Sequence, residues 1–194
     1  MEVLATDDYA GTGALAAAWS AYVSTITRQS DSAGPSVPAT NTIAYYNAVV
    51  PPANCYVRLV ATVGPAGGAD VLAGWTRLVP GSANAYAMVW DLASGGIYRL
   101  DGGVATLLQA YTSSWNAADL LEPRSLGSVH QMLVNGVVVA SATDATYAAA
   151  GNAALQVFCA SVATGVANSF EIGDIPLGVG LLESLGLSPR RSIQ

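Results

Sequence analysis

Carboxylates held together on one face of a strand are the groups best able to do hydrolytic chemistry, and this chain has few that qualify. Its glutamates are Glu2, Glu122, Glu171 and Glu183, each isolated from the others in sequence. Cleaving a glycosidic bond takes two carboxyl groups, roughly 5 to 9 Å apart, one acting as acid and the other as nucleophile or base. Along a strand, residues i and i+2 share a face. The nearest approach to such a pair, Glu171-Ile-Gly-Asp174, is spaced by three, which sends its two carboxylates to opposite faces. A pair assembled across strands is the one route left to a hydrolase.

Other nucleophilic or metal-binding constellations are equally sparse. The one histidine, His130, follows Ser128-Val129, and no Gly-x-Ser-x-Gly elbow accompanies it. A lone strand histidine is read as a surface or partly buried polar group rather than a catalytic base. Gly11-Thr-Gly13 and the glycines of residues 64–68 lack the Gly-Lys-Ser/Thr ending and following helix of a phosphate loop. Asp101 and Asp144 could each offer oxygens to calcium, but Asp101-Gly-Gly is explained by hairpin chemistry, and two isolated aspartates make a poor site. Cys55 and Cys159 cannot form a zinc site or a disulfide scaffold. Each falls on the inward face of a strand, and two separate buried thiols are expected. No catalytic residue, metal or cofactor is expected.

Aromatic residues are the better site candidates. Tyr86, Met88 and Trp90 share one face of a strand, and Tyr98 shares a face with Leu100 on the next. On an open sheet face Tyr86, Trp90 and Tyr98 would stack on sugar rings, using aromatic faces with polar tips. On the inner face the same residues are core, which Met88 favours. Trp75 and Trp115, near turns, present a weaker version of that choice.

The elements that would position these residues are short apolar runs divided by turn residues. Residues 86–92, 97–100 and 104–111 are separated by Ser94-Gly95-Gly96 and Asp101-Gly102-Gly103, and 129–134 is joined to 137–141 by Asn135-Gly136. Asn-Gly suits a type I′ turn, whose two central residues both need positive φ. Further strands are expected at 42–46, 56–63, 71–79, 120–126, 154–160 and 168–172, about a dozen in all, with no helix before residue 177. Pro123 predicts that its strand is an edge or carries a bulge.

At 194 residues the chain suits one domain with an arm, and only 10% of its residues are charged. It has seven arginines, no lysine and a net charge of −6, which argues against binding to nucleic-acid phosphates. No apolar run is long enough to span a membrane, and residues 1–8 lack the basic and apolar regions of a secretory leader. After residue 176 the pattern changes. Leu181, Leu182 and Leu185 fall on one helical face ahead of Arg190-Arg191, as in a short amphipathic docking arm. The division expected is a sandwich over 1–175 and an arm over 176–194.

Asp7-Asp8-Tyr9 with Trp19, and then the run Gly127-Ser-Val-His-Gln-Met-Leu-Val-Asn-Gly-Val-Val-Val-Ala-Ser-Ala-Thr-Asp-Ala-Thr-Tyr147, resemble the laminin-G-like, concanavalin A-like superfamily. The strands Ala154-Leu-Gln-Val-Phe-Cys and Ser169-Phe-Glu-Ile extend the likeness over roughly residues 5 to 175. It implies an all-β fold, an antiparallel two-sheet jelly-roll sandwich. It also implies a choice among glycan-binding modules, adhesion domains, glycosidase cores and structural modules of bacteriophage particles. With no catalytic constellation, low charge and a docking arm, the expected function is non-enzymatic. The chain would be a structural and binding module of a larger assembly, a virion decoration, fibre or tail component assembled in the host cytoplasm. Its expected partners are other virion proteins or further copies of itself, and a host-surface glycan. A carbohydrate-binding module is the second reading and a glycoside hydrolase the third.

Overall fold

The computed structural model describes residues 1–29, 31–37, 39–62, 70–112, 115–159 and 167–176. The strands are β1 (Glu2–Asp7), β2 (Gly13–Ala14), β3 (Trp19–Val23), β4 (Ile26–Arg28), β5 (Ala33–Pro35), β6 (Thr42–Tyr46), β7 (Cys55–Ala61) and β8 (Val71–Val79). They continue with β9 (Asn84–Trp90), β10 (Gly96–Asp101), β11 (Val104–Ala110), β12 (Leu120–Leu126), β13 (Val129–Val134), β14 (Val137–Thr143), β15 (Asn152–Phe158) and β16 (Ala167–Asp174). No helix occurs among the described residues. The count of strands exceeds the dozen expected because β1, β2, β4 and β5 are short or lie in segments of mixed composition.

Two antiparallel sheets form a sandwich. One follows the order β14-β13-β12-β7-β16-β5-β4-β2, with β1 also paired to β16. The other follows β11-β10-β9-β8-β15-β6-β3. The runs read at 71–79, 86–92, 97–100 and 104–111 form β8-β9-β10-β11 of the second sheet, and the turns there and in the β13–β14 hairpin of the first sheet have the expected chemistry. Gly102 and Gly103 take φ of 59° and 85°, and Asn135 and Gly136 take 51° and 81°, as a type I′ turn requires.

Large side chains from both sheets meet between them. Tyr86, Met88 and Trp90 of β9, Leu72 of β8 and Ile97 of β10 pack there with Val57 and Leu59 of β7 and Phe170 and Ile172 of β16, all essentially without exposure. The sheets pack closely where Gly74 of β8 faces Pro123 of β12. A Cβ on Gly74 would lie 2.6 Å from the Pro123 ring.

Pro123 corrects a sequence expectation. Its strand is not an edge, because β12 lies between β7 and β13. The pairing with β13 runs through Pro123↔Met132. Toward β7, however, the register passes from Leu121↔Leu59 to Arg124↔Tyr56 without closing at Glu122 and Pro123. A residue with no N–H interrupts the ladder on one side only.

The thiols are buried as expected, and neither takes part in a disulfide. Burial pushes the Cys55 thiol up to about 12. The arm residues Leu181, Leu182, Leu185, Arg190 and Arg191 lie outside the described residues.

Candidate functional site

A strand in a sandwich has one face in the core and one turned away, and β9 divides its residues by size. Tyr86, Met88 and Trp90 fill the core, while Ala85, Ala87 and Val89 occupy the opposite face. On that outer face Trp75 of β8 is flanked in register by Ala87 of β9 and Ala154 of β15. Two alanines beside one indole leave a depression, and a groove of about 540 Å³ occupies it.

Tyr22 of β3 and Tyr98 of β10 rise as half-buried walls on opposite sides of this groove. The Tyr22 ring stands edge-on to Trp75, with centroids 6.4 Å apart and planes at 65°. Ile43, Val71, Val89 and Leu100 complete an apolar lining.

Polar groups cross this apolar surface in two places. The Trp75 indole N–H donates to Gln156 Oε1 at 2.9 Å, and the Gln156 amide donates to Asn41 Oδ1 at 3.0 Å. This relay uses Asn41 as an acceptor, so the NH₂ group of Asn41, an exposed residue, is not consumed by it. At the far rim Asp91 closes a turn. Its carboxylate accepts from the backbone N–H of Ala93 at 3.0 Å and of Ser94 at 3.2 Å, and from the Ser94 hydroxyl. The Tyr98 hydroxyl donates to the Ser94 carbonyl, which fixes the ring at the groove wall. Burial, followed by the nearby Asp91 charge, holds the Tyr98 phenol above its ordinary value.

Of the three aromatics singled out in the sequence, Tyr98 alone lines the groove. Tyr86 and Trp90 are corrected to the core, where both are fully buried. The roughly 10 Å space between two sheets needs large side chains, so the bulky side of β9 turns inward and the small side outward. Trp115, also buried, belongs to the same core. Tyr22, Asn41 and Gln156 were not legible as site residues, because they come from β3, the loop before β6 and β15, and only the sheet order brings them together.

The sequence's carboxylates lie elsewhere. Glu122 and Glu171 sit across β7 from one another, both bonded to Arg58, with Arg124 also on Glu122 and the Tyr56 hydroxyl on Glu171 at 2.8 Å. Asp101 and Asp144 are joined through Arg99 at 2.9 and 2.7 Å, and the Tyr147 hydroxyl donates to Asp101. Asp91 is the one carboxylate among the described groove residues. Among the described residues, no group of three or more His, Cys, Asp or Glu could hold a metal ion.

His130 is fully buried and stacked on Tyr86, with centroids 3.6 Å apart. Ser125 Oγ lies 2.9 Å from Nδ1 and 2.7 Å from Thr76 Oγ1, while Nε2 lies 3.1 Å from the Asp144 carbonyl. That carbonyl can only accept, so Nε2 carries the proton and Nδ1 accepts from Ser125. Burial pushes the imidazole down to about 4, against the opposing pull of the Asp144 carbonyl. Burial would raise the Asp144 carboxyl, but hydrogen bonds from Tyr86, Thr146 and Arg99 hold it well below the usual carboxylate range. The cluster is a sealed structural joint rather than a catalytic dyad.

This joint has a pH signature. The folded protein keeps His130 neutral while the unfolded chain takes up a proton near 6.5. Its contribution is therefore complete above pH 6.5 and is lost as pH falls toward 4. The loss should reach about 2 kcal/mol by pH 5. Urea midpoints at pH 7, 6 and 5 should fall in sequence, and His130 is the one histidine available to cause it. A constant midpoint over that range would contradict the buried neutral imidazole.

No protein-family profile matches the sequence, and no curated protein matches it. Solved structures do. The carbohydrate binding module CBM66 from Bacillus subtilis superposes with a TM-score of 0.58 at 11% identity, covering 84% of this chain and 97% of that one. The potassium-bound carbohydrate recognition domain of Emp46p gives 0.62 at 9% identity, covering 81% and 88%. SCLam, a non-specific endo-β-1,3(4)-glucanase of family GH16, gives 0.57 at 10% identity, covering 88% and 90%. With its two antiparallel sheets and its strand order, the chain has the concanavalin A-like jelly-roll sandwich fold.

Proposed function

We propose that this chain is a carbohydrate-binding module that seats a glycan in the outer groove of the β11–β3 sheet. The observation that carries the reading is the pair of half-buried tyrosines, Tyr22 and Tyr98, that line the groove together with Trp75. A pyranose ring has apolar C–H faces and a polar hydroxyl rim. Aromatic walls with an exposed amide beside them match both features. Two of the solved structures with this fold are a carbohydrate binding module and a carbohydrate recognition domain, which supports the same reading.

Binding without hydrolysis fits the site better than catalysis. Glycoside cleavage needs a second carboxyl group about 5 to 9 Å from the first. Asp91 has no such companion among the described groove residues, and its oxygens are engaged in its own turn. A role inside a virion is a separate proposal that rests on the docking arm expected over residues 176–194, of which 177–194 lie outside the described residues.

Tyr22→Ala and Tyr98→Ala should each weaken polysaccharide binding by about tenfold or more, since each removes an aromatic contact and apolar area. Affinity electrophoresis through gels cast with soluble polysaccharides reads this directly. Both variants should unfold close to the wild-type midpoint because both rings are half-exposed. Wild-type retardation of both variants in every gel that retards the parent would refute the assignment.

A further inference from the structure

Resting on the groove as the glycan site, we infer that its ligand is an uncharged polysaccharide and that acidic glycans are excluded. The inference comes from where the chain spends its positive charge. There is no lysine, and all five described arginines are committed away from the groove. Arg28 donates to the carbonyls of Ala14 and Ala10, and Arg77 to those of Ala53, Tyr147 and Gly127. Arg58 and Arg124 neutralise Glu122 and Glu171 on the outer face of the other sheet, and Arg99 bridges Asp101 and Asp144. Arg190 and Arg191 lie outside the described residues.

What the groove does offer suits hydroxyl groups. The Asn41 amide can donate, the Tyr22 hydroxyl can donate or accept, and the Tyr98 and Ser94 hydroxyls, whose protons go to the Ser94 carbonyl and to Asp91, can accept from sugar hydroxyls. A uronate, sialate or sulfate would have to leave water for an apolar lining with Asp91 as the nearest formal charge. An anion buried without a cation or a set of N–H donors is strongly disfavoured. The net charge of −6 adds a longer-range repulsion of polyanions that salt would screen.

The test is affinity electrophoresis of the full chain against two series of soluble polysaccharides. The neutral series is mixed-linkage β-glucan, galactomannan and arabinoxylan, and the acidic series is alginate and polygalacturonate. Each is run at about 20 mM and about 500 mM salt, so that screened repulsion is separated from a missing cation. At least one neutral polymer should bind about tenfold or more tightly than either acidic polymer, with Tyr98→Ala weakening it. The acidic polymers should stay unbound at the higher salt, and Asn41→Arg, at the exposed rim, should acquire retardation by alginate.

Alginate or polygalacturonate binding that Tyr98→Ala abolishes would overturn the neutral specificity while leaving the groove assignment standing. Neutral binding indifferent to both Tyr22→Ala and Tyr98→Ala, or no binding to any polymer, would overturn the groove assignment and the specificity with it.

Discussion

Trp90→Ala is expected to lower folding stability by about 3–5 kcal/mol, the range for emptying a large aromatic site in a packed core. The indole is fully buried between the sheets and pairs in register with Leu72 of β8. Its N–H has no hydrogen-bond partner among the described residues. Removing the ring therefore loses packing without breaking a polar contact. Trp90→Phe should recover much of the loss, because it refills part of the volume and deletes the unsatisfied donor. Urea unfolding measures both, and the surviving folded Trp90→Phe should bind glycan as the parent does. A Trp90→Ala midpoint near wild type, together with lost glycan binding, would return Trp90 to the ligand site and contradict the inward orientation of β9.

Arg77→Met is expected to cost about 3–5 kcal/mol, through orphaned carbonyls rather than a lost cavity filler. Arg77 sits where β8 breaks register, with a φ of 55°, and its side chain is almost wholly buried. Its guanidinium reaches the Ala53 carbonyl through two nitrogens at 2.9 and 2.7 Å, and the Tyr147 and Gly127 carbonyls at 2.7 Å each. Three loops are thus tied to one planar fork. Burial pulls the guanidinium below its ordinary value, yet it stays charged at any ordinary pH. Methionine fills similar volume but leaves three carbonyls without that donor, at roughly 1–3 kcal/mol for each one kept from water. Arg77→Lys should rescue less than half of the loss, since an ammonium cannot reproduce the fork. A lysine variant with the parent's midpoint would show that the charge alone matters.

The turns made the fold legible. Asn135-Gly136 and Gly102-Gly103 need left-handed backbone, and their place between apolar runs marked two hairpins before any strand order was known. What composition could not give was which face of β9 turns inward. Ala85, Ala87 and Val89 are as apolar as Tyr86, Met88 and Trp90, so alternation separates the faces without naming them. Volume decides it, because the space between sheets takes the large set. An alanine-lined face on a central strand was the signal available for a groove, and it is silent about what fills it. Tyr22, Asn41, Trp75, Tyr98 and Gln156 come from β3, the loop before β6, β8, β10 and β15. Only the order β10-β9-β8-β15-β6-β3 gathers them, and that order reflects long-range pairing that a single sequence does not spell out.

The most direct measurement is an ¹⁵N–¹H correlation spectrum of the indole N–H groups during titration with the neutral oligosaccharide that binds best in the gel series. Trp75 donates into the groove relay, whereas Trp90 lies in the core and the Trp19 indole is held by Asp7 at 2.8 Å. A groove-bound glycan predicts a saturable shift of the Trp75 signal, with Trp90 and Trp19 unmoved, and loss of that shift in Tyr98→Ala. Saturation that moves Trp19 and leaves Trp75 in place would put the glycan elsewhere on the sandwich and contradict it.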